Sequence, residues 1–346
     1  TDAEQWTVGL SGRALGLSFE GFHRQWDADN EIGAGMMRVQ NHLIPGYRQW
    51  TANVARRWTD GATSLDARLG LTSAGIGDAT VMPTYRILHA DAAESRTFIP
   101  FGVALNYMRA LGGGVDGGIV GEVASEPPTA EQLYVVVRRP SMPGMRRPDW
   151  IGDPTLAQPV RLGARGVVRL TSAQVEVHAS HIAGYVLPEA RRVGMRPYQT
   201  YANVDAALAG LRAGGRLSRL EWEAAYTAGW NLTHDVALAE VAPLTATATW
   251  RQPLPARLEG TLRVTGATAQ ARVDPNLLES STAAWARLDA GLFWQGAGGL
   301  RASIEVDNLT DALYHQHLSY FRDPFASGAR VTEPGRTLRV GVSMDL

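Results

Sequence analysis

The chain has 346 residues, of which 45% are hydrophobic, 8% aromatic and 19% charged, with a formal net charge of −1 and no cysteine. This balance excludes a disordered chain and removes the main electrostatic reason to expect a nucleic-acid partner, and the missing thiols exclude disulfides, thiolate metal sites and cysteine nucleophiles. No apolar run approaches the roughly 20 residues of a membrane helix, whereas a membrane-spanning β-strand needs only about 10 residues of alternating character.

Such alternation recurs along the chain. Leu65, Ala67, Leu69 and Leu71 alternate with Asp66, Arg68 and Gly70. Leu162, Ala164, Val168 and Leu170 stand against Arg161, Arg165 and Arg169, and Leu220, Trp222, Ala224, Tyr226, Ala228 and Trp230 against Arg219, Glu221, Glu223 and Thr227. The pattern returns in Leu300, Ala302, Ile304 and Val306, and again in Leu338, Val340, Val342, Met344 and Leu346. Period two with one apolar face predicts strands, and helical spacing fits none of these segments.

The connections alternate in length. Short turns are expected near residues 11–13, 60–62, 112–114, 171–173, 213–215, 252–255 and 296–298, several of them glycine-rich. Long loops are expected at 24–47, 74–96, 126–159, 188–198, 231–243, 266–282 and 308–335. Short turns on one rim and long loops on the other are the pattern of an antiparallel transmembrane β-barrel of the outer-membrane kind. A soluble β-sandwich gives the same alternation within each strand but not this alternation of connections. About 15 strands are expected, an odd number that cannot close an antiparallel barrel. The all-β chain therefore reads as one domain, residues 1–346, forming the C-terminal portion of a barrel of about 22 strands whose first strands and plug precede it.

Four segments resemble the TonB-dependent outer-membrane receptors. Glu126-Pro-Pro-Thr-Ala-Glu-Gln-Leu-Tyr134 is similar to that family's R-x-P-[ST]-x-x-E-L-Y loop, and Gly152-Asp-Pro-Thr-Leu156 to its G-N-P-x-L loop. Val306-Asp-Asn-Leu-Thr-Asp311 with Tyr314 resembles its V-x-N-L-x-D-x-x-Y strand exit, and Glu333-Pro-Gly-Arg336 precedes a terminal strand as in that family. Asn308 and Asp311 are suited to capping turn amides, so these motifs read first as folding features. Tyr201 to Ala206, Pro243-Leu244 and Tyr314-His-Gln-His-Leu318 most resemble the copper-receptor subgroup. The resemblance implies an outer-membrane location in contact with lipid, and uptake of a metal ion or metal chelate, energised by the TonB complex through the plug. It implies no resident cofactor. A ferric-siderophore receptor and a passive porin-like channel are the alternatives.

Without cysteine, soft donors for copper are limited to methionine and histidine. The first long loop is expected to carry His23, Met36, Met37 and His42, although Gln25 stands where the subgroup has a methionine after His23. Met142 and Met145 flank Pro-Gly on the longest loop, and His315 and His317 share a face of the last one. Arg138, Arg139, Arg146 and Arg147 around the second methionine pair suit an anionic chelate. Arg161, Arg165, Arg169, Glu221 and Glu223, on polar strand faces, are expected to line the lumen and to meet a plug. No Gly-x-Ser-x-Gly elbow, His-Glu-x-x-His or phosphate loop is present, so no enzymatic activity is expected.

Overall fold

The computed structural model describes residues 2–32, 38–139, 148–274, 277, 279–321 and 329–344. The chain opens with two hairpins, β1 (Asp2–Ala14) to β2 (Leu17–Ile32) and β3 (Val39–Asp60) to β4 (Thr63–Ile76). A connection bearing helix α1 (Met82–Arg86) leads into β5 (Ser95–Phe98), β6 (Phe101–Gly112) and β7 (Val115–Ser125). The next connection holds α2 (Ala130–Tyr134), β8 (Val136–Val137) and β9 (Asp149–Ile151) ahead of β10 (Val160–Arg169). A long hairpin, β11 (Ala173–Val193) to β12 (Arg196–Leu217), is followed by β13 (Leu220–Asn231), β14 (Val236–Ala237), β15 (Thr245–Leu254), β16 (Leu258–Ala267), β17 (Trp285–Gln295) and β18 (Leu300–Asp307). A small pair, β19 (Tyr320–Phe321) and β20 (Ala329–Arg330), precedes the last strand, β21 (Thr337–Met344).

Strands β1, β2, β3, β4, β6, β7, β10, β11, β12, β13, β15, β16, β17, β18 and β21 pair in that order as one antiparallel meander, fifteen long strands within a 19-stranded sheet. This is the number expected from the alternation. β1 pairs only with β2 and β21 only with β18 among the described residues, so the sheet is open. Each edge strand runs from the loop rim to the turn rim. An antiparallel closure between two strands of the same sense needs an odd number of further strands between them.

One face of the meander is apolar and exposed, carrying Leu10, Leu69, Leu105, Leu162, Leu262 and Val340. A continuous apolar face of this kind is a liability in water and a requirement in hydrocarbon. Trp6 and Trp50 stand on it toward the loop rim, and Trp58, Tyr107, Trp250 and Trp294 toward the turn rim. Trp50 and Trp58 are eight residues apart on β3. At about 3.4 Å per residue and a tilt of about 40°, that spacing spans about 21 Å across a bilayer, near the height of an outer-membrane apolar band. Among the described residues, no helix is long and apolar enough to cross a membrane.

The other face is polar, and its charges pair across neighbouring strands. Arg161 meets Glu122 at 3.2 Å, Arg165 meets Glu176 at 3.7 Å, and Arg251 reaches both Glu221 and Glu259 at 3.4 Å. Arg169 donates to Gln174 at 3.3 Å, and Arg212 lies 3.6 Å from Glu223. The side chains expected to meet a plug thus have partners within the wall itself.

Several boundaries differ from expectation. Residues 24–47 and 188–198 are not long loops: β2 and β3 run on to Ile32 and back from Val39, and β11 turns into β12 at Gly194, whose φ of +59° suits glycine. These strand ends project past the apolar band. The outward face is no longer uniformly apolar there, so the alternation that marks the strands lower down disappears. The first turn lies at Leu15 and Gly16 rather than at 11–13, and the turn expected at 213–215 lies at Ser218 and Arg219. Gly215 instead lies within β12, two residues from its end, where an added Cβ would collide with the Ser172 carbonyl.

Candidate functional site

The largest buried cluster lies at the loop rim. A sheet with one lipid-compatible face and one ion-paired face has no core of its own, so the connections must pack on one another. Ile44 and Tyr47 of β3, Met82 and Tyr85 of α1, Leu133 and Tyr134 of α2 and Trp150 of β9 form this cluster, which also takes in Tyr201 of β12. Thr129 caps α2 reciprocally with Gln132. Gly152 lets the chain cross the Leu133 backbone, where an added Cβ would stand 2.6 Å from the carbonyl, and Tyr85 donates its hydroxyl hydrogen to the Tyr134 carbonyl at 2.6 Å. Two of the recognised motifs are therefore the scaffold of a cap.

A buried polar pin holds this cap. His89 lies with Nδ1 3.1 Å from the Asp153 carboxylate and Nε2 2.8 Å from the Thr200 hydroxyl, and so joins the connections after β4 and β7 to β12. Burial lowers the His89 pKa, against the pull of Asp153, with Arg191 lowering it further and Glu189 opposing. Its neutral form thus donates from Nδ1 and accepts at Nε2.

The C-terminal part of the rim is built differently. Asn308, with φ +52°, is fully buried. Its backbone N–H donates to Asp289, and its amide binds the Ala312 N–H and the Ala312 and Pro334 carbonyls. Asp311 accepts the Arg336 N–H at 2.8 Å, so both residues cap the chain as expected. Behind them, His317 approaches Glu279 through Nε2 at 3.2 Å and Thr282 through Nδ1 at 3.0 Å. Glu279 also accepts the backbone N–H groups of Asp274 and Glu240, each at 2.8 Å. Burial raises the Glu279 pKa, but the hydrogen bonds from His317, Asp274 and Glu240 outweigh it and hold the carboxyl below its ordinary value.

Among the described residues, the expected ligand residues do not converge. His23 is in mid-strand rather than in a loop, stacked on Trp50 with ring centroids 3.9 Å apart and edge-on to Trp6 at 4.9 Å. It is part of the aromatic belt on the apolar face. His42 lies on β3 and pairs with Asp29 at 2.7 Å, and His315 faces the Val331 carbonyl at 3.1 Å. His317 has both ring nitrogens engaged. Arg138 exchanges backbone hydrogen bonds with the Asn41 amide, and the Arg139 N–H donates to Asp149 at 2.9 Å. Met36, Met37, Met142, Met145, Arg146 and Arg147 lie outside the described residues. Among the described residues, no group of three or more histidine, aspartate or glutamate side chains could hold a metal ion. The residues that do assemble, His89 with Asp153 and His317 with Glu279, join distant segments. Asp153 and His317, each inside a recognised motif, carried a sequence signal, whereas His89 and Glu279 carried none.

No family model and no curated protein matches the chain. Solved structures do. The copper transporter OprC superposes with a TM-score of 0.74 at 17% identity, covering 98% of this chain and 56% of its own. The ferric enterobactin receptor PfeA from Pseudomonas aeruginosa gives 0.59 at 13% identity, covering 98% of this chain and 61% of its own. The ferric yersiniabactin uptake receptor FyuA from Yersinia pestis gives 0.58 at 11% identity, covering 99% of this chain and 54% of its own. The fold is that of the TonB-dependent receptor barrels, and the chain spans a little over half the length of these solved structures.

Proposed function

We propose that this chain is the C-terminal barrel portion of an outer-membrane, TonB-dependent receptor that imports a scarce metal ion or metal chelate. The observation that carries this reading is an open fifteen-strand sheet, apolar on one face, whose same-sense edges leave room for an odd number of further strands, about seven in a barrel of about 22. In this reading the loop rim is extracellular, the turn rim periplasmic, and the plug that contacts the TonB complex belongs to the rest of the barrel. The likeness to OprC supports copper as the preferred cargo, with Met36, Met37, Met142 and Met145 as thioether donors and His42 and His315 as imidazole donors. The likeness to PfeA and FyuA supports the second reading, a ferric-siderophore receptor using Arg138, Arg139, Arg146 and Arg147. The packed cap disfavours an open passive channel.

In cells carrying the full-length protein, copper accumulation should depend on TonB and fall several-fold when the four methionines become leucine, with barrel assembly unchanged. Iron-chelate accumulation that depends instead on the four arginines would select the siderophore reading. Uptake indifferent to TonB would reject both in favour of passive diffusion.

A further inference from the structure

From Trp50 to the turn rim, β3 places Trp50, Ala52, Val54, Arg56, Trp58 and Asp60 on one face, the apolar face of the sheet. Arg56 therefore lies inside the band that Trp50 and Trp58 bound, about 5 Å from the Trp58 level for a strand tilt of about 40°. Its register neighbour on β4 is Ala67, which faces Val103 of β6 in turn. Arg57, on the polar face, is taken up by Asp66 through two hydrogen bonds. Arg56 has no such partner: among the described residues neither it nor Asp60 makes an ion pair or a side-chain hydrogen bond.

The guanidinium is nonetheless held in place. Its carbon lies 5.0 Å from the centroid of the Trp58 ring, and its Nε and Nη2 lie 3.9 Å from where a Cβ on Gly16, in the β1–β2 turn, would stand. A cation seated on an indole face keeps the N–H edges of its plane free. Beside hydrocarbon those donors find little water, so their acceptor has to come from outside the chain. Asp60, two residues past Trp58 toward the rim, lacks a donor in the same way. From the band outward the order on this face is thus cation, indole, carboxylate, and the two charges do not pair with each other.

From this order we infer that the turn-rim end of β3 is a headgroup site for a zwitterionic bilayer phospholipid with a primary ammonium, a phosphatidylethanolamine. The guanidinium fork of Arg56 takes the phosphodiester, and the ammonium, a few bonds further toward water, donates to Asp60. The acyl chains then run back along the apolar face past Val54. A phosphatidylglycerol would satisfy Arg56 and leave Asp60 facing like charge, while the quaternary ammonium of a phosphatidylcholine has no N–H to give Asp60. The inference rests on the receptor reading for the bilayer that surrounds the apolar face.

Native mass spectrometry of the full-length protein in detergent, given an equimolar mixture of dioleoyl phosphatidylethanolamine, phosphatidylcholine and phosphatidylglycerol, reads the preference directly. Phosphatidylethanolamine should be retained about fivefold over each of the others. Arg56→Gln should bring all three to one low level. Asp60→Asn should lower phosphatidylethanolamine to the phosphatidylcholine level and leave phosphatidylglycerol unchanged or raised, and it decides the matter alone if Arg56→Gln fails to assemble. Soluble phosphoethanolamine in about tenfold excess should not displace the lipid, because it lacks the acyl chains that the apolar face holds. Equal retention of the three lipids, a preference for phosphatidylglycerol, a phosphatidylethanolamine preference that survives Asp60→Asn, or displacement by phosphoethanolamine would each overturn the inference. TonB-dependent metal uptake in cells is scored separately. Uptake with a flat lipid series sinks the headgroup site and leaves the receptor, while the expected series without uptake does the reverse.

Discussion

The two parts of the loop rim reach the same end by different chemistry. From β2 to β12 the connections bury a continuous apolar cluster with a single histidine pin, whereas from β13 to β21 they are held by buried amides and carboxylates around Asn308 and Glu279. Apolar packing is non-directional and responds to lost volume, while a hydrogen-bonded network responds to charge state. The first part should therefore fail when a side chain is shortened, and the second when a carboxylate is discharged.

The largest expected effect tests the apolar side. Leu133 is fully buried in the cap, and Leu133→Ala should remove about 2 to 5 kcal/mol of local stability by leaving a cavity. Hydrogen exchange should accelerate across residues 82–98 and 130–137 and stay unchanged across 308–319. Equal acceleration in both regions would show that the rim unfolds as one unit and that the contrast is false.

A smaller effect, with a defined pH order, sharpens the comparison. The His89 pKa is lowered by burial, so its contribution is complete above the ordinary imidazole value of 6.5 and is lost as pH falls through the lower folded value. Glu279 is lowered from 4.5, so its contribution is complete above 4.5 and is lost only as pH falls below that. Acidification from neutrality should loosen the β2–β12 cap first and the Glu279 network afterwards, as read by exchange at residues 87–92 and 279–282. His89→Gln should erase the first step alone. Release of the Glu279 segment before the His89 segment would contradict the order.

How much of this was legible in the sequence follows from where each signal arises. Strands such as β18 and β21 announce themselves because one uniformly apolar face opposite a polar one makes the alternation strict. The ends of β2, β3, β11 and β12 lie beyond that band, and their residues read as loop. The motif residues Asn308, Asp311 and Gly152 show their turn chemistry directly. The pins do not, because His89, Asp153 and Thr200 lie on three separate segments and nothing local to His89 announces its partners. His317 resembled a ligand for the same reason: an i, i+2 histidine pair is visible, but the glutamate and threonine that occupy its ring are not.

The smallest expected effect concerns the polar face of the sheet, where the sequence placed charges expected to line the lumen and meet a plug. Arg212 and Glu223 stand 3.6 Å apart with side chains 68% and 60% exposed, so water screens the pair and ordering two long side chains to form it costs rotamer freedom. Exposed pairs of this kind are worth about 0 to 1 kcal/mol, and added salt reduces that further. In the full-length barrel, Arg212→Gln should leave the temperature of heat-modified migration in mild detergent unchanged within error, at low and at high salt. The buried pins offer the contrast, because there desolvation makes each lost partner costly. If Arg212→Gln shifted that temperature as far as Leu133→Ala, the polar face would be a structural element comparable to the cap, and the difference between wall and rim would have to be redrawn.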